Sequence, residues 1–280
     1  MNIGRFSIEQ LSEGRFELFD DGRVNRLTHQ EDTGPAIDLP TQVSSTVGID
    51  PVLVSSNEHK ILLDTGLGWG LDAGSNYSDV SNAVTNLDIF GLQPEDITHV
   101  ILTHLHYDHV AGSTYTDDQS KTQPTFPNAK YYLQKREWEY ALSETSEANL
   151  VKGASYKLDD LYRLFADDYL VLLEKDFKEI VRGITVLWTG GHTPGHQVIR
   201  INDSGESAYY LGDLLPSEKH LNRYAMRQMD IHPNQAKKKK IQLMRQLCDE
   251  NACLLFYHSL YSKSGMLTKN EKEKYVLKSI

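Results

Sequence analysis

Cysteine is scarce in this sequence, and long apolar runs are missing. Only two cysteines, Cys248 and Cys253, occur in 280 residues. This argues against sulfur ligands or a disulfide and predicts two small buried hydrophobic side chains. No apolar run reaches the ~20 residues of a membrane span, and the first residues lack the long apolar core of a secretory signal. The sequence therefore predicts a cytoplasmic protein with no membrane partner.

Positive charge is also scarce, since 39 acidic residues outnumber 29 basic ones and give a net charge of −10. This balance argues against a general nucleic-acid surface, because the phosphate backbone attracts basic proteins. The one basic block, Lys237 to Lys240, lies in a segment with helical spacing from Asn234 to Glu250, and we predict that it forms a solvated helix face. We expect a small molecule as the partner, and no nucleic acid.

No low-complexity linker, solenoid repeat or cluster of proline and glycine divides the chain. We therefore predict one domain over residues 1–280, which is long enough to bury a substantial core. Apolar runs predict two pairs of antiparallel strands, Pro51–Ser55 with Lys60–Asp64 and Phe177–Val181 with Ile184–Trp188.

Four strand-like runs end at a side chain that can bind a metal or support a ligand: Asp64, His104, Asp213 and His258. Rigid strands that deliver side chains to one edge are a good way to preorganise a site.

The most informative segment is H-L-H-Y-D-H, from His104 to His109, which directly follows an apolar strand-like run. Side chains at i and i+2 of an extended strand point the same way, so His104 and His106 can bind one ion as the chain leaves the strand. Asp108 and His109 follow where the chain must turn, and they can face a second ion. Imidazole and carboxylate together suit zinc and related divalent metals.

Three isolated residues later in the chain, His192, Asp213 and His258, can complete two coordination spheres. Each has a structural alternative: a turn cap for His192, a helix N-cap for Asp213 and a satisfied core histidine for His258. Asp64 is predicted to orient a ligand histidine or its loop, with a plain turn aspartate as the alternative. His196 is expected to be structural and to hydrogen-bond its loop.

These motifs resemble those of the metallo-β-lactamase superfamily, in the order Asp-Thr-Gly, H-x-H-x-D-H, H-T-P-G-H, Gly-Asp and a late histidine after a strand. They run from Asp64 to His258 and so cover most of the chain. The resemblance implies an α/β fold, the αβ/βα four-layer sandwich of that family, with two divalent metal ions bound at one edge. Zinc is the first expectation, and manganese, iron and cobalt accept the same ligands.

The resemblance also implies which residues bind each ion. It assigns three residues to the first ion, three to the second and one as a bridge: His104, His106 and His192; Asp108, His109 and His258; and Asp213. A carboxylate can span ions about 3.5–4 Å apart, and a water between them loses a proton near neutral pH and becomes a nucleophile. The full set of histidines and aspartates is similar to that of hydrolases of lactones, thioesters or phosphoesters.

Two shorter matches resemble quorum-quenching N-acyl-homoserine lactonases. They are the run from Gly212 to His220 and the early run from Phe16 to Gly22. The implied reaction is opening of the lactone ring by a metal-bridging hydroxide, with Asp108 protonating the leaving alkoxide.

The sequence departs from the best-known lactonases at Pro216, where those enzymes carry a tyrosine that polarises the lactone carbonyl. His220 is the preferred replacement, because an imidazole can donate to a developing oxyanion. Tyr107 and Tyr224 are alternatives, and a plain surface role for His220 also stays open.

The segment of about 113–168 is predicted to contain a lid-like insertion whose aromatic side chains wall an acyl-chain pocket, with helix core as the alternative. The substrate alternatives are phosphoesters, organophosphates and thioesters, the last by analogy with glyoxalase II. A non-catalytic metal-binding module is a more distant alternative. A homodimer stays open.

Overall fold

The computed structural model describes residues 1–19, 24–27, 44–68, 81–144, 156 and 158–279. Residues 20–22 of the lactonase-like segment Phe16–Gly22 lie outside the described residues, and so do residues 145–155 and 157 of the predicted insertion.

The described residues form nineteen strands and five α-helices. In chain order the strands are β1 (Asn2–Ile3), β2 (Phe6–Gln10), β3 (Gly14–Phe19), β4 (Val24–Arg26), β5 (Ser44–Ile49), β6 (Val52–Ser55), β7 (Lys60–Leu63), β8 (His99–Ile101), β9 (Thr114–Thr116), β10 (Thr122–Pro124), β11 (Lys130–Gln134), β12 (Leu170–Leu173), β13 (Phe177–Val181), β14 (Ile184–Trp188), β15 (Gln197–Asp203), β16 (Glu206–Tyr210), β17 (Cys253–Leu255), β18 (Ser264–Lys269) and β19 (Tyr275–Lys278). The helices are α1 (Ala83–Asp88), α2 (Tyr107–Val110), α3 (Lys135–Glu144), α4 (Leu161–Ala166) and α5 (Pro233–Asp249).

Seven strands form the first sheet, in the order β1-β2-β6-β7-β8-β11-β12. The predicted hairpin is confirmed, because β6 and β7 pair from Val52 opposite Leu63 to Ser55 opposite Lys60. β7, β8, β11 and β12 are parallel to one another. Parallel β7 and β8 end at the same edge of the sheet, so Asp64 lies beside the histidine-rich loop.

Seven further strands form the second sheet, in the order β13-β14-β15-β16-β17-β18-β19. The predicted pair of β13 and β14 is confirmed. The turn between them needs glycine, because Gly183 has a φ of +90° and a Cβ there would lie 2.6 Å from the Asn202 carbonyl oxygen. β16 and β17 are parallel, so Asp213 and His258 leave this sheet at one edge.

The two sheets divide the hydrophobic core into three clusters, one between the sheets and one on the outer face of each sheet. Apolar side chains of both sheets, such as Val54 and Ile199, pack against each other between the sheets. The outer face of the first sheet packs against α1, α3 and α4, and that of the second sheet against α5. The order of layers is helix, sheet, sheet, helix, and the predicted αβ/βα sandwich is confirmed.

Part of the range predicted as a lid-like insertion belongs to the first sheet and not to a lid. β11 pairs with β8 and β12 inside the first sheet, and Trp138 of α3 is buried in the core outside that sheet. Two further aromatic residues of the range, Tyr131 and Phe126, are also fully buried. A lid stays a prediction for the rest of the range.

The predicted helix around the lysine run is present as α5, and Lys238 is exposed as expected. Lys240 is only 6% exposed, and its ammonium donates to the carbonyls of Asn222 at 3.0 Å and Ala225 at 2.8 Å. The prediction of a solvated face is therefore wrong at Lys240. Two carbonyls replace the hydrogen bonds that water gives an exposed ammonium.

Both cysteines are free. Cys253 is buried, as the sequence predicts, whereas Cys248 is only half-buried. A separate finding concerns membranes: in the described part of the chain, no helix combines the length and the apolar character that crossing a bilayer requires.

Candidate metal centre

The seven residues predicted to bind metal meet where the two sheets present their strand ends. His104 and His106 follow β8, and Asp108 and His109 lie in α2. His192, Asp213 and His258 follow β14, β16 and β17, respectively. Five of the seven are buried, the two half-buried ones being His106 and Asp108. Loops of both sheets therefore build one centre.

The first cluster consists of His104, His106 and His192, whose ring nitrogens lie within 4.8 Å of one another. His192 Nε2 is 3.1 Å from His106 Nδ1. Burial lowers the pKa of His106 to about 4 and holds the pKa values of His104 and His192 well below their usual range. All three are neutral near pH 7, and neutral imidazole is the form that binds metal.

The second cluster consists of Asp108, His109 and His258, with ligand atoms again within 4.8 Å of one another. His258 Nε2 lies 3.3 Å from Asp108 Oδ2, and His109 Nε2 lies 3.9 Å from it. Burial lowers the pKa of His109, but the carboxylates of Asp108 and Asp64 outweigh burial and raise it to about 10. The carboxylates thus favour a positive charge here, which a proton or a metal ion can supply.

Asp213 lies between the two clusters. Its Oδ1 is 3.3 Å from His109 Nε2 and 3.2 Å from His258 Nε2, whereas its Oδ2 is 3.2 Å from His192 Nε2. Burial opposes ionisation, but Arg227 and the histidines hold the pKa of Asp213 well below its usual range. One oxygen of an ionised carboxylate therefore faces each cluster, as a shared ligand requires.

Three of the histidines are oriented by a hydrogen bond between the ring nitrogen Nδ1 and an oxygen on the side away from the centre. Each has its Nδ1 within hydrogen-bond distance of a carboxylate or carbonyl oxygen: His109 with Asp64 at 2.8 Å, His192 with Asp230 at 3.1 Å and His258 with the carbonyl of Gly48 at 2.9 Å. Such an oxygen only accepts, so Nδ1 carries a proton and Nε2 faces the centre, where it can bind an ion once it is free of a proton.

Atoms without a hydrogen-bond partner test whether these residues fit metal ions. Among the residues that the structure describes, buried His104 Nε2, His109 Nε2 and Asp213 Oδ1 have no such partner. Each unsatisfied buried atom costs about 1–3 kcal/mol. A divalent cation in each cluster would satisfy these atoms, so the residues fit two ions.

Asp64 holds both ends of the segment from Thr103 to His109 in place. Besides His109, it accepts hydrogen bonds from the backbone N–H of Thr103 at 2.7 Å, the Thr103 hydroxyl at 2.8 Å and the Tyr210 hydroxyl at 2.8 Å. The prediction that Asp64 orients a histidine and its loop is confirmed.

Sequence reasoning missed Glu137, a fully buried carboxylate on α3. It accepts from the backbone N–H of Leu105 at 3.0 Å, the Thr193 hydroxyl at 2.6 Å and the backbone N–H of Gly195 at 3.0 Å. Gly195 packs so closely on Glu137 that a Cβ would lie 2.3 Å from the Glu137 amide nitrogen. Glu137 therefore fastens the loop of His104 to the loop of His192.

His196 has the structural role that the sequence predicts. Its Nδ1 is 2.7 Å from the Thr189 hydroxyl, and its Nε2 accepts from the backbone N–H of Asp213 at 3.2 Å. Burial lowers the pKa of His196 to about 3, which leaves Nε2 free of a proton and able to accept.

His220 lies in the short 3-10 turn Glu218–His220, with its Nδ1 2.8 Å from the Ser217 hydroxyl. Burial lowers the pKa of its imidazole to about 4. Of the alternatives, Tyr224 is exposed and Tyr107 packs against the core between the sheets. Pro216 contributes its carbonyl, which accepts from the backbone N–H of His258 at 2.9 Å.

Comparison with known families gives the class of this protein. Residues 46–252, more than half of the chain, match the metallo-beta-lactamase superfamily. The chain therefore belongs to the metallo-beta-lactamase superfamily.

Curated relatives carry the name N-acyl homoserine lactonase. One from Bacillus sp. is 30% identical over 163 residues, which is 53% of this chain and 56% of the relative. AttM from Azorhizobium caulinodans is 30% identical over 127 residues, which is 44% of this chain and 43% of the relative. The chain thus matches these relatives over about half of their length.

Solved structures share the fold over the whole chain. A probable metal-dependent hydrolase from Staphylococcus aureus aligns with a TM-score of 0.74 at 24% identity, covering 100% of this chain and 99% of the other. AidC, a dizinc quorum-quenching lactonase, aligns with a TM-score of 0.73 at 22% identity, covering 100% of this chain and 97% of the other. At these identities the likeness establishes the fold alone.

Proposed function

We propose that this protein is a dinuclear metal-dependent hydrolase that opens the lactone ring of N-acyl-homoserine lactones. The observation that carries the proposal is the carboxylate of Asp213, whose Oδ1 faces His109 and His258 and whose Oδ2 faces His192. The names of the curated relatives and of AidC support lactones as the substrate class.

In this proposal His104, His106 and His192 bind the first ion, Asp108, His109 and His258 bind the second, and Asp213 binds both. Zinc is the first choice, with manganese, iron and cobalt as alternatives that accept the same ligands. When bound, such a pair supplies two Lewis-acid positions and acidifies a shared water for attack on the lactone carbonyl.

Asp108 is proposed to take a proton from the attacking water and to pass it to the leaving alkoxide. Its side chain is 15% exposed, against 5% for Asp213, so it is the carboxylate that a substrate reaches more easily. The hydroxyl of Tyr257 donates to the backbone carbonyl of Asp108, and this bond fixes the first turn of α2. Asp108 is thus held in place through its backbone while its side chain meets the substrate.

His220 is proposed as the donor that stabilises the oxyanion. Its lowered pKa keeps the imidazole neutral near pH 7. If the Ser217 hydroxyl donates to Nδ1, the ring proton is on Nε2, where it is available to a carbonyl oxygen.

Part of the segment of about 113–168 is proposed to cover the bound acyl chain. Tyr156 supports this, because its ring lies 5.2 Å from the ring of His106, measured between centroids. Tyr140 lies next to Tyr156, with ring centroids 6.0 Å apart. These aromatic side chains offer an apolar wall beside the first cluster.

The proposal is tested with a panel of an N-acyl-homoserine lactone, a thioester, a phosphodiester and an organophosphate, each assayed with and without chelator. We expect metal-dependent turnover that is fastest on the lactone. Faster turnover of a thioester or a phosphorus ester would replace the proposed substrate. Binding of metal without turnover of any substrate would favour a non-catalytic module. A cytoplasmic location and a homodimer stay predictions.

A further inference from the structure

The segment from Asn222 to Asp230, which we name the strap, contacts the metal centre at Asp213. Its residue Arg227 places Nη2 3.0 Å from Asp213 Oδ2, and its Nη1 donates to the backbone carbonyl of Asp213. The side chain of Arg227 is 18% exposed. One planar guanidinium therefore holds both the carboxylate and the backbone of the same residue, which fixes the direction of that side chain.

The strap is fastened ahead of Arg227 by the buried ammonium of Lys240. The carbonyls of Asn222 and Ala225 both accept from Lys240 Nζ, at 3.0 and 2.8 Å. Burying an ammonium is costly unless it is fully hydrogen-bonded. Lys240 is 6% exposed, whereas Lys238 on the same helix is exposed. Lys240 is therefore buried at the position where it hydrogen-bonds to the strap.

The strap is also fastened at its far end, on the loop of His192. Asp230 Oδ1 is 3.1 Å from His192 Nδ1. Directly after the strap, the backbone N–H of Ile231 donates to the His192 carbonyl at 3.0 Å, and that of His232 to the Gly191 carbonyl at 2.7 Å. Arg227 therefore lies between two anchored ends.

Asp213 needs such a hold because each of its oxygens faces a different cluster. Rotation of the carboxylate would take one oxygen away from its cluster, and a ligand must be held to within about 0.5 Å. A carboxylate oxygen has two lone pairs, so Oδ2 can accept from Arg227 and still bind an ion on the side of His192. The guanidinium and an ion can therefore use different lone pairs of Oδ2.

We infer that Arg227, held in place by Lys240 through the strap, is a positioning residue that fixes Asp213 between the two metal positions. It acts through Asp213 and not on the substrate. The inference rests on the metal centre of the proposed function but not on the lactone as substrate.

The test compares Arg227→Met, Arg227→Lys and Lys240→Met with the wild type and with Lys238→Met as the matched control. Zinc affinity is measured by competition with a chromophoric chelator, bound zinc by elemental analysis, and kcat and KM on the preferred ester. Loss of an outer partner of a metal ligand typically costs about 10–100-fold in metal affinity or activity. We expect a loss of that size in zinc affinity and kcat for Arg227→Met, with KM unchanged.

The other variants sharpen the result. Arg227→Lys keeps the charge but loses the planar fork, so it should recover only part of the affinity. Lys240→Met should weaken zinc binding in the same direction by a smaller factor, and Lys238→Met should match the wild type.

Three results overturn the inference. They are Arg227→Met with wild-type zinc affinity, a rise in KM as the main effect, and a lower unfolding midpoint of the metal-free protein with zinc affinity intact. If Arg227→Met does not fold, wild-type zinc affinity in both Arg227→Lys and Lys240→Met overturns it. Failure of the proposed function is distinct. A wild type that binds none of zinc, manganese, iron or cobalt removes both proposals, whereas a wild type that prefers another ester leaves the metal affinities as the test.

Discussion

Asp64 and Asp230 have the same chemical task on opposite sides of the centre, but their surroundings differ. Each accepts a hydrogen bond from the Nδ1 of a histidine, Asp64 from His109 at 2.8 Å and Asp230 from His192 at 3.1 Å. Asp64 is fully buried at the end of β7 and has three further hydrogen bonds, two to Thr103 and one to Tyr210. Asp230 lies on the strap, outside helices and strands.

One side of the metal centre is thus supported by residues at the ends of core strands, and the other side by residues of a loop. Asp64 directly follows β7, Thr103 follows β8, and Tyr210 is the last residue of β16, so rigid strands position them. Asp230 and Arg227 belong to irregular backbone, which is held by the ammonium of Lys240 and by a few backbone hydrogen bonds. Loops carry function and vary more readily than the elements they connect. We expect mutations on the sheet side to cost both metal binding and stability, and mutations on the strap side to cost mainly metal binding and less stability.

Asp64→Asn should give the largest effect. An amide N–H₂ cannot accept the hydrogen bonds of Thr103 and Tyr210, and asparagine tolerates the φ of 54° at this position, so the loss is not one of backbone strain. Activity should fall by close to 100-fold, the upper end for an outer-sphere group, and the free energy of unfolding by about 1–3 kcal/mol. Zinc content, kinetics and urea unfolding measure these quantities.

Asp230→Asn should cost about tenfold in activity, the lower end of the same range. The amide oxygen can still accept from His192 Nδ1, and the free energy of unfolding should fall by no more than about 1.5 kcal/mol. The same assays apply. If Asp230→Asn proves as damaging to stability as Asp64→Asn, the distinction between the two sides is wrong.

Tyr210→Phe should have a smaller effect, because it removes one of the four hydrogen bonds of Asp64. We expect a loss of stability of about 1.5 kcal/mol, the low end for a bond to a charged acceptor, and a few-fold loss of zinc affinity. Tyr209→Phe is the matched control, since the adjacent Tyr209 donates to Glu250 on the other face of β16 at 2.9 Å. Zinc affinity that falls equally in both variants would contradict the role of Tyr210.

Glu13→Gln should leave activity nearly unchanged and alter only how stability depends on pH. Glu13 accepts from the backbone N–H of Leu67 at 2.9 Å, close to Asp64 in sequence, and burial raises its pKa to about 8. A carboxyl whose pKa is raised on folding binds more protons in the folded state, so its contribution to stability is lost as pH rises towards about 8. Urea unfolding of the metal-free protein between about pH 5 and about pH 9 should show a decline in the wild type that is shallower in Glu13→Gln. Identical slopes in both proteins would show that Glu13 does not titrate in this range.

The sequence predicts the fold and the residues of the centre because both leave strong local patterns. Apolar runs of strand length predict the β6–β7 and β13–β14 pairs, and the segment from His104 to His109 places four candidate ligands within six residues. The isolated His192, Asp213 and His258 are harder to recognise, since only the order of motifs shared with a family joins them to that loop.

The supporting residues other than Asp64 and His196 could not be predicted, because their partners are distant in sequence. Glu137 and Arg227 are single charged residues in a chain with 24% charged residues, and no spacing marks either one. Lys240 lies in a run of lysines that favours solvent exposure, and its burial depends on where the strap places two carbonyls. The sequence also did not predict that β11, inside the range predicted as an insertion, belongs to the first sheet. Whether an apolar run joins a sheet is decided by the strands beside it, which here are β8 and β12.

The most direct test of the account is the number of metal ions that one chain binds, measured together with its activity. Elemental analysis of the zinc-reconstituted protein should give two ions per chain, and chelation should abolish ester hydrolysis, which added zinc restores. A metal-free protein that keeps full activity would contradict the account.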